Sequence, residues 1–347
     1  MGKYDPLKPR LDVHQAVTDK IVARIEQGAG EFQMPWHRPG LSFAIPENAA
    51  TGNAYRGTNI LSLWIDAADK LFERQLWATY KQWSELGAQV RKGEKGSLIV
   101  KYGEWIPKGG SSGDAEPAEA EDGEGGKRLY AKAAYVFNVA QVEGFALEPA
   151  EPRPDLTTRL AHVDDFIKAT GAEFREGGVR AFYRHRTPDG GGDFIQMPPR
   201  SLFTGTETST PTESYEATRL HELGHWSGAA HRLNREFGKR FGDKAYSFEE
   251  LVAELSAAFL CAELSIANTP RADHAQYIAN WLEVLKSDKK AVFSAASLAS
   301  AAVTYLFSLQ PTAPEAAPAS SGEAAPDRPA EIYRAPPART SQPQPLK

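Results

Sequence analysis

The 347-residue sequence predicts an α+β protein, with an N-terminal part of mixed helix and strand followed by a mainly helical part carrying a small sheet. Apolar residues recur at helical spacing from 11 to 27 and again in "SFEELVAELSAAFL". Short apolar runs bounded by turn residues, such as "VRAFYRHR" and "DFIQMP", read as strands. Helix-start signatures stand at "TYKQ" and "TPTE", where a threonine side chain can cap an amide that a glutamine or glutamate three residues on reciprocates.

Taken in order, the first helix runs near 11–27, where Val13, Val17, Ile21, Val22 and Ile25 share one face before Gly28. A second starts after Thr79, with Gln82 three on, and stops at Gly87. "AQVRKGEKGSLIVKYGEW" predicts a β-hairpin with Gly93 and Gly96 in its tip. Residues 107–127, with six acidic side chains and no large apolar one, cannot bury enough surface to order themselves and read as a disordered acidic insertion. Because "RLYAKAAYVFNVAQVEG" resumes a strand pattern, that insertion belongs inside a hairpin of the first domain.

Three prolines in "EPAEPRPD" mark a linker between a domain of about 1–147 and one of about 156–310. The second domain opens with a helix near 158–169, continues with two strands around "TPDGGG", and then has three helices. These are announced by Thr210, Pro211 and Glu213, by "SFEE" from Ser247, and by "YIANWLEVLKSD". The Pro- and Ala-rich stretch 311–347 reads as a disordered tail.

With one cysteine, Cys261, no intrachain disulfide is possible. The start lacks the apolar core of a signal peptide and no run of about eighteen apolar residues occurs, so a cytoplasmic protein with no membrane partner is expected. The net charge of -5 averages segments of opposite character. Between 72 and 101, Arg74, Lys81, Arg91, Lys92, Lys95 and Lys101 outnumber Glu73, Glu85 and Glu94. Five of the seven tryptophans, Trp36, Trp64, Trp77, Trp83 and Trp105, fall before residue 106. Aromatic faces stack on bases while cations follow phosphates, so the mixture suits single-stranded nucleic acid; the same aromatics equally suit a core.

The densest chemistry is "LHELGHWSGAAH", residues 220–231. Four residues apart on a helix, His221 and His225 present their rings to one point, while Glu222 is offset sideways by about 100°. This is the H-E-x-x-H arrangement of zinc metallopeptidases, with one Zn2+ per chain expected and Glu222 as general acid/base. The third ligand has several candidates. Gly228 and His231 complete a metzincin-like pattern, but all three methionines, Met1, Met34 and Met197, precede the motif, so the downstream methionine turn is missing. Glu250 is the first choice, giving the His₂Glu set of gluzincins, with Glu254 one turn on to hydrogen-bond a ligand histidine. Against it, Glu250 sits three after Ser247, where a capping glutamate would belong; Glu249, Glu254 and His231 stay open.

Together, "PWHRP", "PENAATGNAYRGTNILSLW", "WATYKQWSELGAQVRKGEKG", "HELGHWSGAAHRLNR" and "YSFEELVAELSAAFL" resemble the ArdC-type antirestriction proteins of conjugative plasmids and the related N-terminal part of plasmid TraC primases, over about residues 30–310. The resemblance implies a bacterial cytoplasmic protein with a domain binding single-stranded DNA and a zincin-like metallopeptidase domain, protecting incoming plasmid DNA from host restriction. It implies His221, His225 and Glu250 as metal ligands, Glu222 as the catalytic glutamate, and Trp36, Tyr55, Arg56, Asn59, Trp77, Lys81, Gln82, Arg91 and Lys92 as DNA contacts. Two alternatives use the same residues: a DNA-associated protease removing a protein partner, and a pure DNA-binding protein with a structural metal site.

Overall fold

The computed structural model describes residues 11–28, 44–105, 121–122, 128–149, 154–187, 190–205, 209–237, 244–266 and 274–311. The first helix, α1 (Val13–Gly28), buries the predicted stripe of Val13, Val17, Ile21, Val22 and Ile25. After β1 (Glu47–Asn48) comes α2 (Thr58–Asp69), in which Ile60, Leu61, Leu63, Trp64 and Ile65 are all buried. No helix was expected there. Its polar residues Asn59, Ser62, Asp66 and Asp69 do recur at helical spacing, but Gly57 caps it without a side-chain bond, so no capping signature announces its start.

β2 (Leu76–Ala78) leads into α3 (Tyr80–Glu85), where Thr79 and Gln82 form the predicted reciprocal cap. β3 (Gln89–Val90) and β4 (Ser97–Trp105) follow, then β5 (Glu121–Asp122), β6 (Arg128–Asn138) and β7 (Val142–Glu143). The hairpin expected over 88–105 is corrected: β3 pairs with β7, and β4 pairs antiparallel with β6 from Ser97↔Val136 to Trp105↔Arg128. Long-range bonds override the local turn. The Arg91 amide donates to the Gln141 carbonyl at 3.0 Å, and Gln141 Nε2 donates to Glu94 and to the Lys95 carbonyl. Strands β4 and β6 flank the acidic insertion, of which Glu121–Asp122 pairs with β6 and the remainder, 107–120 and 123–127, lies outside the described residues. The main sheet runs β1-β2-β6-β4.

The second region begins with α4 (Leu156–Thr170), capped by Asp155 and closed by Gly171 at φ 71°. Strands β8 (Phe174–Glu176), β9 (Phe182–Arg184) and β10 (Phe194–Met197) form a three-stranded sheet with β10 central, parallel to β8 and antiparallel to β9. Four helices complete it: α5 (Pro211–Ser227), α6 (Lys244–Glu263), α7 (His274–Ser287) and α8 (Ala291–Ser308). Helix α8 goes beyond the three expected. It is the one helix among the described residues long and apolar enough to cross a membrane by composition, but Ala295, Ala296, Ala299, Ala302 and Leu306 are fully buried in the protein.

The described residues up to Gln310 form one compact unit. Its largest core joins α1 and α2 to α6, α7 and α8, with Trp64 meeting Phe259 edge to face at 5.8 Å. Leu251, Leu255 and Phe259 of α6 are each at most 1% exposed there, contributing about 1.5–3 kcal/mol apiece. A second core sets Leu220, Leu223 and Trp226 of α5 against β10 and α4. Helix α6 is therefore held along one face while another is turned to α5.

Candidate metal centre

Helix α5 starts at a reciprocal cap: the Thr210 hydroxyl accepts the Glu213 amide and Glu213 accepts the Thr210 amide, with Pro211 in the first turn. This anchors the helix so that His221 and His225 emerge one turn apart, both buried. The two helices can cross closely because position 224 is glycine. A Cβ there would lie 3.2 Å from Ser256 Cβ and 3.3 Å from the Ala253 carbonyl oxygen.

Glu250 then faces both rings. Its Oε2 is 3.5 Å from Nε2 of His221 and its Oε1 is 3.5 Å from Nε2 of His225. One ligand atom from each of the three residues lies within 4.8 Å of the others, all buried. The opposite ring nitrogens face carboxylates as well: Nδ1 of His221 is 3.5 Å from Glu254, and Nδ1 of His225 is 3.2 Å from Glu249. A carboxylate at Nδ1 fixes the tautomer that leaves Nε2 as a lone pair. Two such imidazole nitrogens and one carboxylate form a donor set that fits a divalent zinc-type cation.

The electrostatics match this crowding. Burial acts to lower the His225 pKa, but Glu250, Glu249 and Glu222 outweigh it and push it up to about 10. Burial acts to raise the Glu250 carboxyl, and the two histidines hold it well below the usual carboxylate range. Glu222 is buried beside His221.

His231 is not part of this group. Its side chain is 45% exposed and its Nε2 faces Asp193 at 3.9 Å, with Asp193 also accepting from Arg232 at 2.6 Å and Tyr183 at 2.8 Å. Ser247 does not start its helix either, since α6 begins at Lys244, one turn earlier. Glu250 is thus not a capping residue. Sequence reasoning gave Glu249 only a marginal place and missed Arg235, whose guanidinium binds Glu249; no local pattern signals a contact made across 14 residues.

The predicted DNA contacts separate into two sets. Trp77 has no exposed surface and donates its indole N–H to Gln75, so it is core, which corrects the expectation of a stacking face. Asn59 is half-buried and committed to β4, donating to the Val100 carbonyl and accepting the Val100 amide. Gln82 is used by the Thr79 cap and Asn48, and the Tyr55 hydroxyl accepts from Asn48. Arg56, Lys81, Arg91 and Lys92 are exposed, with Lys81 paired to Glu85 and Arg91 to Glu94. Trp36 lies outside the described residues. Three exposed aromatics of this part are absent from the expected contacts: Tyr80 and Tyr135, each 52% exposed, and Tyr102, 60% exposed.

A histidine pair on one helix, a glutamate from the next and a small sheet alongside define a zincin-like domain. Residues 161–298 match the zincin-like metallopeptidase family, and residues 11–137 match the N-terminal domain of anti-restriction factor ArdC. The chain is 41% identical over 299 residues to the uncharacterized protein y4eC of Sinorhizobium fredii, covering 86% of this chain and 92% of that one. It is 33% identical over 312 residues to DNA primase TraC of Escherichia coli, spanning 88% of this chain but only 20% of the primase. The crystal structure of antirestriction protein ArdC from plasmid R388, in metal-free and Mn(II)-bound forms, superposes with a TM-score of 0.65 at 36% identity, covering 86% of this chain and 98% of that one. The chain belongs to the ArdC antirestriction family.

Proposed function

We propose that this chain is an antirestriction protein that binds single-stranded DNA through its N-terminal part, about 1–147, and carries a zinc-dependent metallopeptidase domain at about 156–310. The observation that carries the enzymatic half is the buried convergence of His221, His225 and Glu250 beside Glu222. His221, His225 and Glu250 would hold a divalent zinc, and the chemistry it would supply when bound is Lewis acidity toward a scissile carbonyl and a water pKa lowered to about 7. Glu222 takes the proton of the attacking water and delivers it to the leaving amine, while Glu254 and Glu249 keep the two imidazoles in one orientation. A structural site has no use for a buried glutamate in that place, which favours catalysis over the structural reading.

The DNA half is supported by an aromatic row where α3 meets the face of β6, with Tyr80 and Tyr135 exposed and Phe137 half-buried between them. Tyr80 and Phe137 meet edge to face at 6.4 Å, and Tyr135 lies two residues from Phe137 on the same strand face. Gly96 leaves room for them: a Cβ there would be 3.0 Å from Tyr135 and 3.2 Å from the Phe137 ring. The turn carrying that glycine also holds Arg91, Lys92 and Lys95, all exposed. Aromatic faces for bases beside cations for phosphates suit a single strand of any sequence.

Metal content measured by mass spectrometry on wild type, His221→Ala, Glu250→Ala and His231→Ala tests the reading, with DNA retardation assayed on the same samples. About one zinc per chain is expected, lost in the first two variants and kept in His231→Ala. DNA binding is expected to be intact throughout. Loss of zinc in His231→Ala instead of Glu250→Ala overturns the ligand set, and failure of wild type to retard single-stranded oligonucleotides at low salt overturns the DNA half.

A further inference from the structure

His225 is reached through a chain of contacts that begins outside helices α5 and α6. After α5 the backbone turns through Asn234 at φ 49°, and the Arg235 amide returns to the Gly228 carbonyl at 2.8 Å. This brings the Arg235 side chain back beneath the helix end, where it is 2% exposed. Its guanidinium makes four hydrogen bonds. Nε donates to Glu249 Oε2 at 2.9 Å and Nη2 to Glu249 Oε1 at 2.7 Å, a two-pronged grip on one carboxylate. Nη2 also donates to the Gly224 carbonyl at 2.6 Å, and Nη1 to the Ser227 hydroxyl at 2.9 Å.

The same guanidinium explains Gly228. That glycine caps α5 at φ -81°, a conformation open to any residue, so backbone freedom does not call for it. Space does. A Cβ at 228 would stand 2.6 Å from Arg235 Nη2 and 2.8 Å from the Phe237 ring. The glycine that completes a metzincin-like spelling therefore makes room for an arginine, and its place in the motif has nothing to do with His231.

We propose that Arg235 is a positioning residue of the metal centre, acting through Glu249 on the ring of His225. Held in a fork, Glu249 keeps its Oε1 at His225 Nδ1, so the Nδ1 proton stays on that side and the Nε2 lone pair stays aimed at the point shared with His221 and Glu250. Without the fork, Glu249 is a buried carboxylate with the His225 ring as its one donor, free to turn away or to compete with Glu250 for the cation. The inference rests on the metal reading above but concerns a residue that touches neither cation nor substrate.

The test is Mn(II) affinity of the full chain, read from the free-ion electron paramagnetic resonance signal, for wild type, Arg235→Met, Arg235→Lys, Glu249→Gln, the Arg235→Met/Glu249→Gln double variant, and Gly228→Ala. Each protein is also checked for fold by circular dichroism melting. Arg235→Met and Glu249→Gln should each weaken Mn(II) by about 10- to 100-fold. The double variant should be no weaker than the worse single one, because both act on one ring. Arg235→Lys should fall between, and Gly228→Ala, which removes no polar atom, should weaken binding by displacing the guanidinium. Wild-type affinity in folded Arg235→Met, or losses that multiply in the double variant, overturns the inference. Should Arg235→Met not fold, unchanged affinity in folded Glu249→Gln overturns it equally. Absence of Mn(II) binding in wild type would instead defeat the metal reading itself.

Discussion

Gly224 of α5 lies against the backbone of Ala253 of α6, so close that a single added carbon would stand 3.3 Å from the Ala253 Cα. This contact sets the crossing that lets Glu250 reach both histidines. The glycine inside "HELGH" is thus a packing requirement of the site.

Gly224→Val follows as a first prediction. The branched side chain gains a few tenths of a kcal/mol of helix propensity over glycine but costs about 1–3 kcal/mol in overpacking, and overpacking wins. Urea denaturation should show the loss, and the zinc content of the folded fraction should fall because Glu250 is carried away from the rings.

Glu222→Gln separates binding from chemistry. The amide keeps the shape of the side chain but cannot take a proton, so the variant should fold, retain about one zinc, and lose about 10²- to 10⁴-fold in hydrolysis of any peptide substrate found by screening. Unchanged cleavage would remove Glu222 from the mechanism.

On the DNA side, Tyr80→Ala and Tyr135→Ala should each cost about 1–3 kcal/mol in oligonucleotide affinity with the melting temperature nearly unchanged. Lys92→Ala should lower the slope of log affinity against log salt by about one. Trp77→Ala should behave differently, destabilising the fold by about 3–5 kcal/mol because that indole is core. Fluorescence anisotropy over a salt series, beside thermal melts, reads all four.

Glu213 governs part of the acid limb of stability. Burial acts to raise its carboxyl, but bonds from Thr210 and the Arg159 guanidinium 3.2 Å away outweigh burial and hold it below the usual range. A carboxyl depressed in the folded state stabilises at pH values above its ordinary value of 4.5 and loses that contribution as pH falls through the folded value. Glu213→Gln should therefore cost about 1–2 kcal/mol at pH 7 and almost nothing near pH 2, as measured by urea unfolding at both.

Local rules made much of this protein legible. Helical spacing marked α1 and the apolar stripe of α6; reciprocal caps marked α3 and α5; and a four-residue interval placed His221 and His225 on one face, since all these depend on residues within one or two turns of each other. The same rules failed where partners are distant. Helix α2 starts at Gly57 with no side-chain cap to announce it, β3 left its expected hairpin for β7, and Ser247 resembled a helix start that packing places one turn earlier at Lys244. Sequence by itself determined the α+β class, the histidine pair and its glutamate, and the short list from which a third partner had to come. Tertiary structure alone brought Glu250 within 3.5 Å of both rings, placed Glu249 and Arg235 behind His225, and turned His231 to Asp193. The physical reason is that orientation between two helices is set by how closely their backbones approach, here at Gly224 and Ala253, and no interval along one chain encodes that distance.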